Sequence, residues 1–181
     1  MIKVVTVHGR FQPPLHKNHW NYIKAAFGVA EKVIILITNP NLSEKAVPEA
    51  EHRNKADNNP LSYDERVKIF KSFFDNIGIA KNRYEFKPFD ITDEKEWRKL
   101  DKGTPNMVNV YSDWSNSKLE KFKTHDLKVI RLDLQPLDGV SGTRIREIIW
   151  RNIDASQMRN ELLKAGYMEE AIPGLFEVLG Y

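Results

Sequence analysis

Two runs rich in β-branched residues, Ile2–Val7 and Val33–Ile37, stand on either side of an amphipathic stretch, and that arrangement leaves few folds open. The first run stops at His8-Gly9. From His19 to Val29 the apolar residues Trp20, Ile23, Ala26 and Phe27 recur at three- and four-residue spacing, the period of a helix buried along one face and ending near Gly28. Val33–Ile37 is apolar throughout, as a parallel strand covered on both faces must be. Strand, helix and strand in this order form a βαβ unit with a right-handed crossover.

The alternation continues. Ser62, with Glu65 three residues on, forms a capping box ahead of a helix that buries Val67, Phe70, Phe73 and Phe74. Tyr84–Lys87, Met107–Tyr111 and Lys128–Leu132 are three further short strands, the last two separated by a helix around Ser117–Phe122. Helices follow over Thr143–Trp150, after Asp154 and after Pro173. The expected fold is therefore α/β, an open parallel sheet of Rossmann-like form with helices on both faces. With 181 residues and no internal repeat, a single domain is expected over 1–181, with a helical C-terminal tail from about 151. Asn39–Asn59 is polar, holds two prolines besides Pro60 and is expected to be a long loop.

Composition narrows the chemistry. The chain has no cysteine, which removes disulfides, thiolate metal sites and cysteine nucleophiles. Twenty-eight basic against 25 acidic residues give +3, too mild for a nucleic-acid partner on charge alone. No apolar run reaches membrane-spanning length and no targeting segment precedes the first strand, so a cytoplasmic location away from membranes is expected.

The first strand empties into Gly9-Arg10-Phe11-Gln12-Pro13-Pro14-Leu15-His16-Lys17-Asn18-His19, where ligands of open α/β sheets bind. Two imidazoles, a guanidinium, an ammonium and a helix start suit phosphate oxygens. A solvated His-x-x-His at a helix start is the plain alternative; a metal pair lacks a neighbouring third ligand. A second cluster, Asp138 to Glu147, places Ser141 as a helix N-cap with Gly142, Thr143 and Arg146 around it. It forms either an anion cradle or simply a capped helix with surface arginines.

Taken together, Gly-Arg-Phe-Gln-Pro with His16-x-x-His19, and Ser141-Gly142-Thr143-Arg144-Ile145-Arg146, resemble the (H/T)xGH and SxTxxR signatures of the nucleotidylyltransferase superfamily. Within it the chain is similar to the archaeal-type nicotinamide-mononucleotide adenylyltransferase family. Asn59-Pro60-Leu61-Ser62-Tyr63-Asp64-Glu65-Arg66 resembles that family's Asn-Pro-Phe-Thr-x-x-Glu-Arg helix start. Pro88-Phe89-Asp90-Ile91 with Trp97 resembles its Pro-Asp-Ile…Trp segment, and Val110-Tyr111-Ser112-Asp113 its Val-Tyr-Ser-Asn strand end. Three features depart from the family. Asn18 stands where the motif has glycine, the Gly9-to-His16 loop is one residue longer, and Asn39–Asn59 is expanded without the serine-rich pattern.

The resemblance implies attack by the phosphate of nicotinamide mononucleotide on the α-phosphorus of ATP, giving NAD and pyrophosphate. It implies His16, His19, Arg10 and Arg146 as catalytic residues, and Gly9, Phe11, Lys17, Ser112, Ser141 and Thr143 as ATP contacts. Asp90 and Trp97 become acceptor contacts, with Trp97 stacking on the pyridine ring. Each has a plainer reading: Trp97 as packing, Asp90 as a helix cap. Mg2+ is implied as a counterion of the ATP phosphates, with no protein metal ligand, and a homo-oligomer is possible in such a family. Asn18 and the loop departures keep a second acceptor class open, such as phosphopantetheine, a sugar phosphate or a phosphoalcohol with ATP or CTP. A non-catalytic nucleotide sensor is the third reading. His8 is expected to end the first strand facing the cleft; Trp114 and Trp150 are expected in packing or at the surface, and His52 and His125 at the surface.

Overall fold

The computed structural model describes residues 1–40, 55–111 and 113–181, with only the backbone for 113–115. Most of the Asn39–Asn59 loop, His52, Ser112 and the Trp114 side chain lie outside the described residues.

The described strands form one parallel sheet: β1 Ile2–Gly9, β2 Ala30–Thr38, β3 Tyr84–Phe89, β4 Asn106–Asn109 and β5 Val129–Leu132, in the order β3-β2-β1-β4-β5. The helices are α1 Lys17–Val29, α2 Tyr63–Asn76, α3 Glu94–Arg98, α4 Asp113–Thr124, α5 Gly142–Ile149, α6 Ala155–Lys164 and α7 Ile172–Leu179. The expected elements are all present with their ends moved by a few residues. Ser62 and Glu65 make both bonds of the capping box, at 3.2 and 2.7 Å.

The uniform apolarity of β2 follows from two cores. Val33, Ile35 and Ile37 join Val5 and Val7 beneath α1, α2, α5, α6 and α7. Leu36 lies in a second cluster with Phe89, Trp97, Val108 and Phe122 beneath α3 and α4. Because strand side chains alternate, neighbours along β2 enter opposite cores.

The C-terminal helices are packed rather than appended. Met158, Leu162, Tyr167, Ile172 and Leu175 are buried in the larger core. Between α6 and α7 the backbone runs beside the start of α1: Lys17 N–H donates to Gly166 O and Met168 N–H to Leu15 O, each at 2.9 Å. Those bonds fix the chain on both sides of His16. No helix among the described residues is long and apolar enough to cross a membrane.

β1 is where the strand order reverses, its successors lying to one side through β2 and to the other through β4. The crevice beyond the carboxyl ends of β1 and β4 is where such sheets accept ligands.

Candidate functional site

A cavity of about 400 Å³ opens in that crevice. Gly9, Arg10, Phe11, His16, His19, Ser141, Thr143 and Arg146 line it, so the two signature segments meet there. Lys17 is exposed and stands outside it, as do Asp90 and Trp97. The lining carries three cationic side chains, Arg10, Lys118 and Arg146, and no carboxylate among the described residues.

The first wall is the loop after β1. A Cβ on Gly9 would stand 2.7 Å from the Phe11 ring, so glycine lets that ring fold back over the strand end. Phe11 is itself buried, with its edge contacts on His19 and Phe70 at 4.9 and 5.2 Å between ring centres. Beneath the loop Arg66 is fully buried and donates to four carbonyls: Arg10 O at 2.7 Å, Thr38 O at 2.9 Å, Asn39 O at 3.1 Å and Ser62 O at 3.1 Å. One guanidinium thus ties the ends of β1 and β2 to the start of α2. Gln12 adds a two-point bond to Leu61, donating at 2.6 Å and accepting at 3.2 Å.

His16 is the N-cap of α1, its Nδ1 accepting from His19 N–H at 3.4 Å. The two imidazoles stack with centres 3.6 Å apart and planes 22° off parallel. Burial, and then the Arg146 charge, push His16 down to about 4. Burial, then His16 and Arg10, hold His19 well below the ordinary imidazole value. Both rings are therefore neutral at pH 7. Since capping uses the Nδ1 lone pair of His16, its proton sits on Nε2. These histidines offer N–H donors to an anion rather than positive charges.

The opposite wall is the start of α5. Ser141 caps it by accepting from Arg144 N–H at 3.2 Å. Gly142 permits close approach, since a Cβ there would stand 3.0 Å from Gln12 O. Arg146, also buried, donates to Gln12 O at 2.7 Å, to Thr143 Oγ1 at 3.0 Å and to Asn58 Oδ1 at 3.2 Å. Asn18, in the motif's glycine position, clamps the loop before α5: its amide donates to Val140 O and its carbonyl accepts from Leu137 N–H, both at 2.9 Å. Its side chain also lines the cavity.

Three expectations need correction. Trp97 is only 1% exposed and donates from Nε1 to Ile91 O at 2.9 Å. Its ring stacks on His125 and meets Phe89 and Phe122 edge to face, leaving no face for a ligand. Packing won because α3 lies directly over the second core. His125, expected at the surface, is half-buried by the same stack. Asp90 does not cap α3; Asp93 does, while Asp90 accepts from Thr92 N–H and Oγ1 at 2.8 and 2.7 Å. Trp150 is exposed.

Sequence reasoning passed over Tyr22, Asn109 and Lys118, which line the cavity with His8. Tyr22 lies three residues beyond His19 on α1, so helical spacing was a usable signal. Its hydroxyl donates to Met107 O and accepts from His8 N–H, bridging β1 and β4. Lys118 approaches from α4, and nothing local in the sequence marks it.

Residues 6–148 match the cytidylyltransferase-like family. The phosphonoformate cytidylyltransferase of Streptomyces viridochromogenes is 29% identical over 148 residues, covering 79% of this chain and 78% of that protein. The nicotinamide-nucleotide adenylyltransferase of Aeropyrum pernix is 28% identical over 176 residues, covering 93% and 95%. Among solved structures, a bifunctional NMN adenylyltransferase/ADP ribose pyrophosphatase from Francisella tularensis superposes with a TM-score of 0.64 at 18% identity, over 99% of this chain. The same protein with AMP and a manganese ion gives the same score at 19% identity. This chain spans 52% and 51% of those two structures, about half their length.

Proposed function

The chain belongs to the cytidylyltransferase-like family, an enzyme of nucleotidylyltransferase type, and we propose that it joins the AMP moiety of ATP to nicotinamide mononucleotide. The observation that carries nucleotidyl transfer is the cavity itself. Two helix starts, three cations and two neutral imidazole donors converge on it, with no lining carboxylate among the described residues, an arrangement for a polyanion.

In the reaction an anionic oxygen of the acceptor phosphate forms a bond to the α-phosphorus. The bond from that phosphorus to the bridging oxygen breaks, and pyrophosphate leaves with the electron pair. No proton need be removed from the nucleophile, so alignment and charge stabilisation supply the catalysis. His16 and His19 donate to oxygens of the reacting phosphates, and Arg10 and Arg146 stabilise the charge that builds there. Ser141, Thr143 and the free N–H groups of α5 hold the departing pyrophosphate. Gly9 and Phe11 shape the wall beside it.

No cluster of three histidine or carboxylate residues able to hold a metal is present among the described residues. A divalent cation such as Mg2+ would be held at this site through the triphosphate, where it would neutralise phosphate charge.

A second reading, cytidylyl transfer to another phosphate or phosphonate acceptor, is favoured by Asn18. Its side chain lines the cavity where the motif has glycine, and the Streptomyces relative bears a cytidylyltransferase name. The test is pyrophosphate release from ATP and from CTP with a panel of acceptors, products identified by mass. NAD formed from nicotinamide mononucleotide supports the first reading, and a CMP conjugate the second. Nucleotide binding without release from any pair would overturn both in favour of a sensor.

A further inference from the structure

β1 pairs with β2 as far as Gly9↔Ile37, but its pairing with β4 among the described residues is the single position Thr6↔Asn106. There Thr6 N–H donates to Pro105 O at 3.0 Å and Thr6 Oγ1 donates to Asn106 Oδ1. A parallel ladder advances two residues at a time, so its next bond toward the cavity would run from His8 N–H to Met107 O. That bond is replaced. The Tyr22 hydroxyl, reaching in from α1, accepts from His8 N–H at 3.4 Å and donates to Met107 O.

The two strands part at this hydroxyl. β1 continues along β2 through His8 and Gly9. Asn109 of β4 is tied instead to Leu134 beyond β5, its amide donating to Leu134 O at 3.0 Å and its carbonyl accepting from Leu134 N–H at 2.7 Å. His8, Gly9, Tyr22 and Asn109 all line the cavity, so the gap between β1 and β4 is part of its floor. A phenol suits this place because one oxygen at the end of a rigid arm both accepts and donates. Burial keeps that hydroxyl protonated well beyond the ordinary tyrosine range, so its donor is always present. Tyr22 stands one turn after His19, and the helix that presents an imidazole to the cavity therefore carries the phenol too.

We infer that Tyr22 is a positioning residue: its hydroxyl stands in the β1–β4 ladder as a spacer, and the cavity admits a nucleotide because that spacer keeps the strands apart. The identity of the ligand rests on the transfer reading; the geometry does not. Without the hydroxyl, His8 N–H and Met107 O face each other across the gap with their shared partner gone. Both residues are buried, and buried backbone groups left in this way are driven to complete the ladder bond. The strands then close at their carboxyl ends, and a ligand must break that bond to enter. Apparent affinity falls by the fraction of molecules that stay open, about tenfold for one net hydrogen bond.

The test is Tyr22→Phe in the full chain, which keeps the ring and removes only the oxygen. Calorimetric titration with ATP and with CTP should show the nucleotide that the parent binds held about tenfold more weakly. Scalar coupling through the hydrogen bond between the His8 amide nitrogen and the Met107 carbonyl carbon, read by NMR, should be absent in the parent and present in the variant. In pyrophosphate release the loss should fall on the nucleotide KM and leave kcat within about twofold, since His16, His19 and Arg146 keep their places. A bond that serves stability alone would instead lower Tm and leave KM unchanged. That result, no coupling in the variant, an unchanged affinity or a variant that fails to fold overturns the inference. The coupling needs no ligand. A parent that binds neither nucleotide would remove the transfer reading, and the spacer would then stand or fall on whether the His8–Met107 bond forms.

Discussion

Arg146 donates to the backbone carbonyl of Gln12 at 2.7 Å, across 134 positions of sequence. This bond joins the two halves of the cavity wall. Its other donors reach Thr143 Oγ1 within α5 and Asn58 Oδ1 ahead of α2. The arginine of the C-terminal motif is therefore a strut as well as a charge, and its planar fork is what lets one residue meet three partners at once.

Arg146→Lys keeps the charge and loses the fork. Because the side chain is 5% exposed, the abandoned partners are left largely out of reach of water. The variant should unfold about 2–3 kcal/mol more easily, and its turnover should fall about a hundredfold. Urea unfolding and a pyrophosphate-release assay measure the two effects. A variant as stable as the parent would show that the bond to Gln12 carries no weight.

His16 combines a structural and a chemical task, and substitutions can separate them. His16→Ala removes the cap of α1 and should cost about 1 kcal/mol of stability together with most of the turnover. His16→Asn supplies a good capping side chain and should recover the stability but not the activity. Recovery of turnover by asparagine would mean that His16 serves only as a cap.

Much of this was legible in the sequence, for identifiable reasons. The apolar runs of β1 and β2 and the Ser62–Glu65 box are local signals, and the structure realises them locally. The meeting of His16, His19 and Arg146 was legible through their two motifs. Trp97 was misjudged because an aromatic residue on a short amphipathic helix reads the same whether the face it presents meets a ligand or a core. Lys118 was missed because its place depends on α4 lying beside the end of β1, a relation that no spacing along the chain encodes. Asn18 stood out as a departure, but its two bonds to the loop before α5 required the packing to be seen.

Acid should weaken the fold through these histidines. His16 protonates near 6.5 in the unfolded chain but only at about 4 when folded. Between those values the unfolded state binds more protons, so stability rises with pH. The contribution is fully present above about pH 6.5 and is lost as pH falls toward 4, amounting to about 3 kcal/mol from His16. His8 and His19 are lowered as well and act with the same sign. Urea unfolding at neutral pH and near pH 5 should show a loss that is smaller in His16→Asn; identical losses would remove His16 from the account.

Trp97 gives the sharpest separation between packing and binding. Its indole is enclosed by Phe89, Phe122 and His125, and its Nε1–H is satisfied by Ile91 O. Trp97→Ala should therefore lower stability by about 3–5 kcal/mol, as removal of a buried aromatic ring does. Trp97→Phe refills most of the space and forfeits only the bond to Ile91. If the ring merely packs, the phenylalanine variant keeps the acceptor KM within about twofold, whatever small stability it gives up. A stacking partner would behave in the opposite way, because phenylalanine offers a weaker face to a cationic ring while filling the core nearly as well. An acceptor KM raised about tenfold in a variant of unchanged Tm would place Trp97 against the ligand and require α3 to open when the acceptor binds.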